Sequence, residues 1–145
     1  MHQKYERAHE LSREVIAAAI EVHRLKGPGL LEEIYEKCIM REFEIRGLAA
    51  RSQVPIPLEY KGMRCEQVLR LDAIIDDCLL VELKAVEKVL PVHKAQLFSY
   101  MKLLDIPIGL LINFHVPVLK DGLNRLMLPW ANQPTVERAS QDQII

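Results

Sequence analysis

Between Leu71 and Val86 the chain reads LDAIIDDCLLVELKAV, in which Asp72, Glu82 and Lys84 are the only charged residues besides the pair Asp76-Asp77. Burying carboxylates and an ammonium unpaired among Ile74, Ile75, Leu79, Leu80 and Val81 costs several kcal/mol per ion, so a segment serving only as core would not carry them. If Asp76-Asp77 turns one strand back on another, Glu82 comes to lie beside Asp72, while Glu82 and Lys84, two residues apart, share a face. Two carboxylates about 4 Å apart repel by about 4 kcal/mol at an effective dielectric of about 20, and a divalent cation more than offsets this. Oxygen ligands of this kind suit Mg²⁺ or Mn²⁺. The chemistry such a centre supports is phosphodiester hydrolysis, in which the cation neutralises phosphoryl oxygens and lowers the pKa of a water. Asp72 and Glu82 are the candidate ligands, helped by the backbone carbonyl of Leu83, and Lys84 is the candidate for positioning or deprotonating the water. The same side chains would also serve as a structural ion cluster, with Lys84 paired to Glu82 or Asp72.

Asp72 followed by Glu82-Leu83-Lys84 resembles the D…(D/E)-x-K signature of the PD-(D/E)XK nuclease superfamily, with Leu71 in place of the motif's loosely kept proline. Upstream, Gly29-Leu30-Leu31-Glu32-Glu33-Ile34-Tyr35 is similar to the G-x-x-E-x-x-Y pattern of the small bacterial GxxExxY proteins. Downstream, His93, Gln96 and Tyr100 in VHKAQLFSYMKLL sit much as in that group's helix after the motif. The three blocks cover roughly Ala8 to Met127. The resemblance implies a restriction-endonuclease-like α/β sandwich, a divalent metal, a nucleic-acid substrate and a glutamate, here Glu32, that leans over the site as an extra ligand or outer acid. Read locally, Glu32 also complements the positive end of a helix. Tyr35, three residues on, shares that face and suits substrate binding or core equally. Gln96 and Tyr100 face one direction, with His93 nearly in line, and could hold Lys84, a metal-bound water or a substrate phosphate. A histidine at that point suits a helix cap as well.

The elements that must position these residues follow from apolar spacing. Helices are predicted over His9–Lys26, stopped by Gly27-Pro28-Gly29, over Leu31–Arg46, and over Val92–Leu104. Strands are predicted over Val54–Tyr60, an edge because of Pro55 and Pro57, then Val68–Ile75 and Cys78–Leu83. The continuous apolar run Pro107–Phe114 predicts a central strand, parallel to a neighbour through the helical crossover, and Leu123–Leu128 a last one. The order ααβββαββ fits an α/β sandwich with a mixed central sheet flanked by helices. Residues 1–129 form one domain in this reading, and the polar stretch 130–145 a flexible tail.

A chain of 145 residues, half of them hydrophobic, is long enough for one sizeable core. Three cysteines without C-x-x-C spacing argue against a disulfide framework or a zinc site. No apolar run nears the ~18 residues of a membrane span, so no membrane contact and a cytoplasmic location are expected. The net charge of −1 advertises no nucleic acid, although Lys84, Lys88, Lys94 and Lys102 face only Glu87 over that stretch. No P-loop, G-x-S-x-G elbow or dinucleotide fingerprint is present. The reading is a Mg²⁺- or Mn²⁺-dependent nuclease acting on DNA, with RNA as the alternative, as a homodimer or with a protein partner. The competing readings are a non-catalytic interaction protein keeping the fold, and a hydrolase of small phosphate esters.

Overall fold

The computed structural model of the protein describes residues 1–65 and 69–133. Helices α1 (Tyr5–Lys26) and α2 (Glu32–Ile45) each carry one apolar stripe, Leu11, Val15, Ala18 and Val22 on the first and Tyr35, Ile39 and Phe43 on the second, all buried. Next come β1 (Ala50–Ile56), a short ribbon of β2 (Glu59–Tyr60) and β3 (Met63–Arg64), β4 (Leu69–Ile75) and β5 (Leu79–Lys84). Helix α3 (Pro91–Leu104), β6 (Ile108–Asn113), a 3₁₀ turn at Leu119–Gly122 and β7 (Leu123–Met127) complete the order.

Five strands form one mixed sheet in the order β1-β4-β5-β6-β7. Only β5 and β6 run parallel, as the crossover through α3 requires. Strand β6 is buried at every position, the property that its continuous apolar run predicts. Helices α1 and α2 pack on one face over Ala73, Ile75, Val81 and Leu110, and α3 packs on the other over Val54, Leu71, Leu80 and Leu111. This is the restriction-endonuclease-like α/β sandwich expected from the sequence.

Two details differ from the sequence reading. The run Val54–Tyr60 is not one strand: β1 begins earlier, at Ala50, and ends at Ile56, where Pro57 withholds a ladder donor and the chain leaves the sheet as the β2–β3 ribbon. Val68, expected to open the next strand, lies outside the described residues. At the other end, packing continues two residues past Pro129, because Ala131 is fully buried and its carbonyl accepts the His2 N–H at 2.7 Å. Residues 134–145 of the expected tail lie outside the described residues. Among those described, no helix is long and apolar enough to cross a membrane.

The turn between β4 and β5 falls at Asp76-Asp77 as expected but takes in Cys78 as well, since Ile75 pairs with Leu79, where β5 begins. Asp76 and Asp77 both take positive φ, 50° and 52°, and the Cys78 N–H closes the turn on the Ile75 carbonyl at 2.9 Å. Arg7 Nε and Arg51 donate to their carboxylates at 2.9 and 2.6 Å, which ties the turn to α1 and β1.

Candidate active site

The β4–β5 ladder pairs Ile75 with Leu79, Ile74 with Leu80 and Ala73 with Val81, and stops one step short of Asp72 and Glu82. There the side chains take the backbone donors. The Asp72 N–H donates to Glu82 Oε1, and the Leu83 N–H donates to Asp72 Oδ2, each at 2.8 Å. Each carboxylate is thereby anchored by the opposite strand, and each keeps one oxygen, Asp72 Oδ1 or Glu82 Oε2, outside these bonds. Since the N–H and C=O of a strand residue point the same way, the Leu83 carbonyl turns toward the Asp72 side, where the ladder has ended.

Burial sets the electrostatics. Glu82 is 7% exposed, and its carboxyl is pushed up from 4.5 to about 8, first by burial and then by the charge of Asp72, against the pull of the Asp72 N–H and Lys84. Asp72 is pushed up from 3.8 to about 6, again by burial first. The Leu83 N–H and Lys84 oppose that rise, while Glu36 and Glu32 add to it. Two acids that resist ionisation for want of positive charge form a site that gains from a cation. Lys84 does not supply that charge by direct pairing. Its ion pair is with Glu32 Oε1, at 3.9 Å, rather than with Asp72 or Glu82 as a self-contained ion cluster would have it.

Strand β1 bends at the site. Ser52 pairs with Ala73 and Val54 with Leu71 in one unbroken register, but Gln53, opposite Asp72, makes no ladder pair and takes φ at 50°. Such an interruption changes which face a strand presents: Ala50 packs under α1 and α2, Val54 and Ile56 under α3. The Gln53 amide donates to Glu36 Oε1 at 2.6 Å, and Glu36 is one of the acids that raise Asp72. The sequence reading missed both. Glu36 was findable, since it lies one helical turn beyond Glu32 on the same face. Gln53 carried no signal, because its placement depends on a local backbone conformation. The two residues also line a cleft of about 850 Å³ between α2 and β1, together with Glu33, Lys37, Arg41 and Ser52.

From the opposite face α3 brings Tyr100 to the carboxylates. Burial first, then the charge of Glu82, raises its phenol, and the Gln96 amide donates to its oxygen at 2.8 Å. His93 sits at the start of α3, where its Nδ1 accepts the Leu90 N–H at 3.0 Å, a capping bond. Tyr35 is a correction. It is fully buried, stacked on Phe114 with ring centroids 4.5 Å apart, and its hydroxyl bridges the Gly27 carbonyl and the Leu30 N–H. No substrate reaches it. It locks the Gly27–Leu30 loop against the start of α2, which in turn sets Glu32.

The donor set fits Mg²⁺ or Mn²⁺. Among the described residues no group of three or more His, Cys, Asp or Glu side chains could hold a metal by itself. Two carboxylate oxygens and a backbone carbonyl suit the hard cations, which hold on to several waters and bind through one or two carboxylates plus substrate phosphate. A family model for the PD-(D/E)XK nuclease superfamily matches residues 9–126, a span holding Glu32, Asp72, Glu82, Lys84 and the whole of α3. Searches of curated proteins and of solved structures return no match. With the motif residues converging on one end of this sheet and the family model spanning most of the chain, the chain belongs to the PD-(D/E)XK nuclease superfamily.

Proposed function

We propose that the protein is a Mg²⁺- or Mn²⁺-dependent nuclease that hydrolyses phosphodiester bonds in DNA, with RNA as the alternative substrate, and that it works in the cytoplasm. The observation that carries this reading is the reciprocal anchoring of Asp72 and Glu82 by each other's strands, which leaves one oxygen of each outside those bonds. Asp72, Glu82 and the Leu83 carbonyl are the proposed ligands. The cation, when bound, would neutralise the phosphoryl oxygens and activate a water. Lys84 then holds that water and offsets the negative charge that develops at the phosphorus. Glu32, 3.9 Å from the Lys84 ammonium, orients it, and Glu36 adds to the negative field that favours a cation. Tyr100, held by Gln96, steadies a metal-bound water or a phosphate oxygen from the α3 side, and His93 meets a phosphate farther out. Gly29, Glu32 and Tyr35 support placement within the GxxExxY group.

The test is cleavage of labelled single-stranded and duplex DNA and RNA with Mg²⁺, Mn²⁺ or EDTA. Cleavage should need the cation and vanish in Asp72→Asn, Glu82→Gln and Lys84→Ala. Cation binding without cleavage of any nucleic acid would favour the non-catalytic interaction protein, in which dimerisation or a protein partner takes the place of turnover.

A further inference from the structure

The β2–β3 ribbon buries nothing of its own. All four of its strand residues are exposed, and Tyr60, 61% exposed, lies directly across from Met63, 60% exposed. The ribbon turns at Lys61-Gly62 with both φ positive, 48° and 81°, and is closed at its root by the Cys65 N–H donating to the Leu58 carbonyl at 2.9 Å. A ribbon this short has no stability to spare for a bare aromatic ring, so the exposed Tyr60–Met63 pair calls for an explanation other than folding. Lys61 Nζ stands 5.4 Å from the ring centroid, and Arg64 lies directly across from Glu59 on the same ribbon. Exposed Arg70 follows at the start of β4, so three cations stand against Glu59 and Glu66 in this stretch of sequence.

The ribbon also projects from the right end of the sheet. Ile56 pairs with Leu69, and Asp72 is three strand residues farther on, about 10 Å. Between the root of the ribbon and α3 lies a cleft of about 450 Å³ lined by Leu58, Ser99, Lys102 and Leu103. Ser99 and Leu103 are three and seven residues after Gln96, hence on the helix face that bears Gln96 and Tyr100. The cleft therefore lies beside the ribbon on the side of α3 that also bears Gln96 and Tyr100.

We propose that the β2–β3 ribbon grips an unpaired nucleic-acid strand, Tyr60 stacking on a base while Lys61, Arg64 and, across the cleft, Lys102 meet phosphates, so that the strand is led along α3 to Asp72 and Glu82. This rests on the nuclease reading of that site. An unpaired strand is favoured over a duplex because one ring on a narrow ribbon stacks only on a base whose face is open, and a cleft of this volume accepts a nucleotide rather than a double helix. Recognition of this kind tolerates any sequence, in keeping with a small chain of nearly neutral charge.

The experiment is fluorescence anisotropy with labelled single-stranded and blunt duplex oligonucleotides in EDTA, so that nothing is cleaved. Wild type is expected to prefer the single strand. Tyr60→Ala should weaken single-strand binding about 5- to 100-fold, Tyr60→Phe should restore most of it, and the double variant Lys61→Ala/Arg64→Ala should lower the salt slope by about 1.4. Arg13→Ala, on the exposed side of α1, serves as the control and should change neither. Hydrolysis of bis(4-nitrophenyl) phosphate, too small to reach the ribbon, should be equal in wild type and Tyr60→Ala. Single-strand affinity unchanged in Tyr60→Ala, or reduced equally by Arg13→Ala, overturns the ribbon's role while oligonucleotide cleavage by wild type upholds the site. A wild type that binds neither oligonucleotide also overturns it, and Mn²⁺-dependent hydrolysis of the small ester then decides separately whether the reading of the site survives.

Discussion

Glu82→Gln is expected to stabilise the metal-free protein at pH 8 while abolishing its activity. Glutamine keeps the shape of the side chain and an oxygen to accept the Asp72 N–H, but removes a charge that burial and Asp72 both oppose. Below pH 4 the Glu82 carboxyl is protonated in folded and unfolded chains alike and takes nothing from stability. As pH rises past 4.5 the unfolded chain ionises while the folded one retains its proton up to about 8, so the folded state binds more protons and stability falls across that window. A displacement from 4.5 to about 8, at about 1.36 kcal/mol per unit, sets a ceiling on the order of 4 kcal/mol at pH 8. Solvent reaching the half-buried Asp72 screens part of this, which leaves about 2 kcal/mol, or some 6 °C in Tm for a chain of this length. The assay is thermal unfolding in EDTA at pH 5 and pH 8. Wild type should lose stability between the two pH values and Glu82→Gln should lose markedly less. A variant less stable than wild type at pH 8, or a wild type whose stability rises with pH, would refute the reasoning.

Glu32→Gln should weaken cation affinity about 10-fold by calorimetry, since Glu32 is the partner of Lys84 and adds to the field at Asp72, whereas exposed Glu33→Gln should stay within about twofold. Gly122→Ala should cost about 3 kcal/mol in urea unfolding, because its Cβ would fall 2.0 Å from the Asn113 carbonyl oxygen, and backbone has to move. Truncation after Pro129 should cost about 1–2 kcal/mol in the same assay, because it removes buried Ala131 and its bond from the His2 N–H. Equal stability of the truncated chain would show that this contact contributes nothing.

The carboxylate pair was legible in the sequence because a tight turn and strand alternation leave little freedom: a turn at Asp76-Asp77 folds Glu82 back to the level of Asp72, and the third turn residue, Cys78, brings the two directly opposite. The crossover helix and the parallel, buried β6 were legible for a similar reason, in that an unbroken apolar run has only the interior to occupy. Depth was harder to read. Helical spacing put Tyr35 on the face of Glu32 but could not say that a neighbouring aromatic, Phe114, would cover it. Local backbone outside the turns was not legible. The positive φ at Gln53 and the break at Pro57 depend on tertiary register, and with them went the acid–amide pair of Glu36 and Gln53 and the exposed ribbon. Ala131 was read as tail because one small residue has no periodicity, although its packing depends on the amino terminus more than a hundred residues away.

The central claim is that Asp72 and Glu82 together hold a divalent cation, and the most direct measurement is calorimetric titration of Mn²⁺ into wild type, Asp72→Asn and Lys84→Ala at pH 8. Saturable binding in wild type, lost in Asp72→Asn and largely kept in Lys84→Ala, is the predicted result, since an ammonium is not a ligand. Absence of binding in wild type, or binding undiminished in Asp72→Asn, would contradict the account.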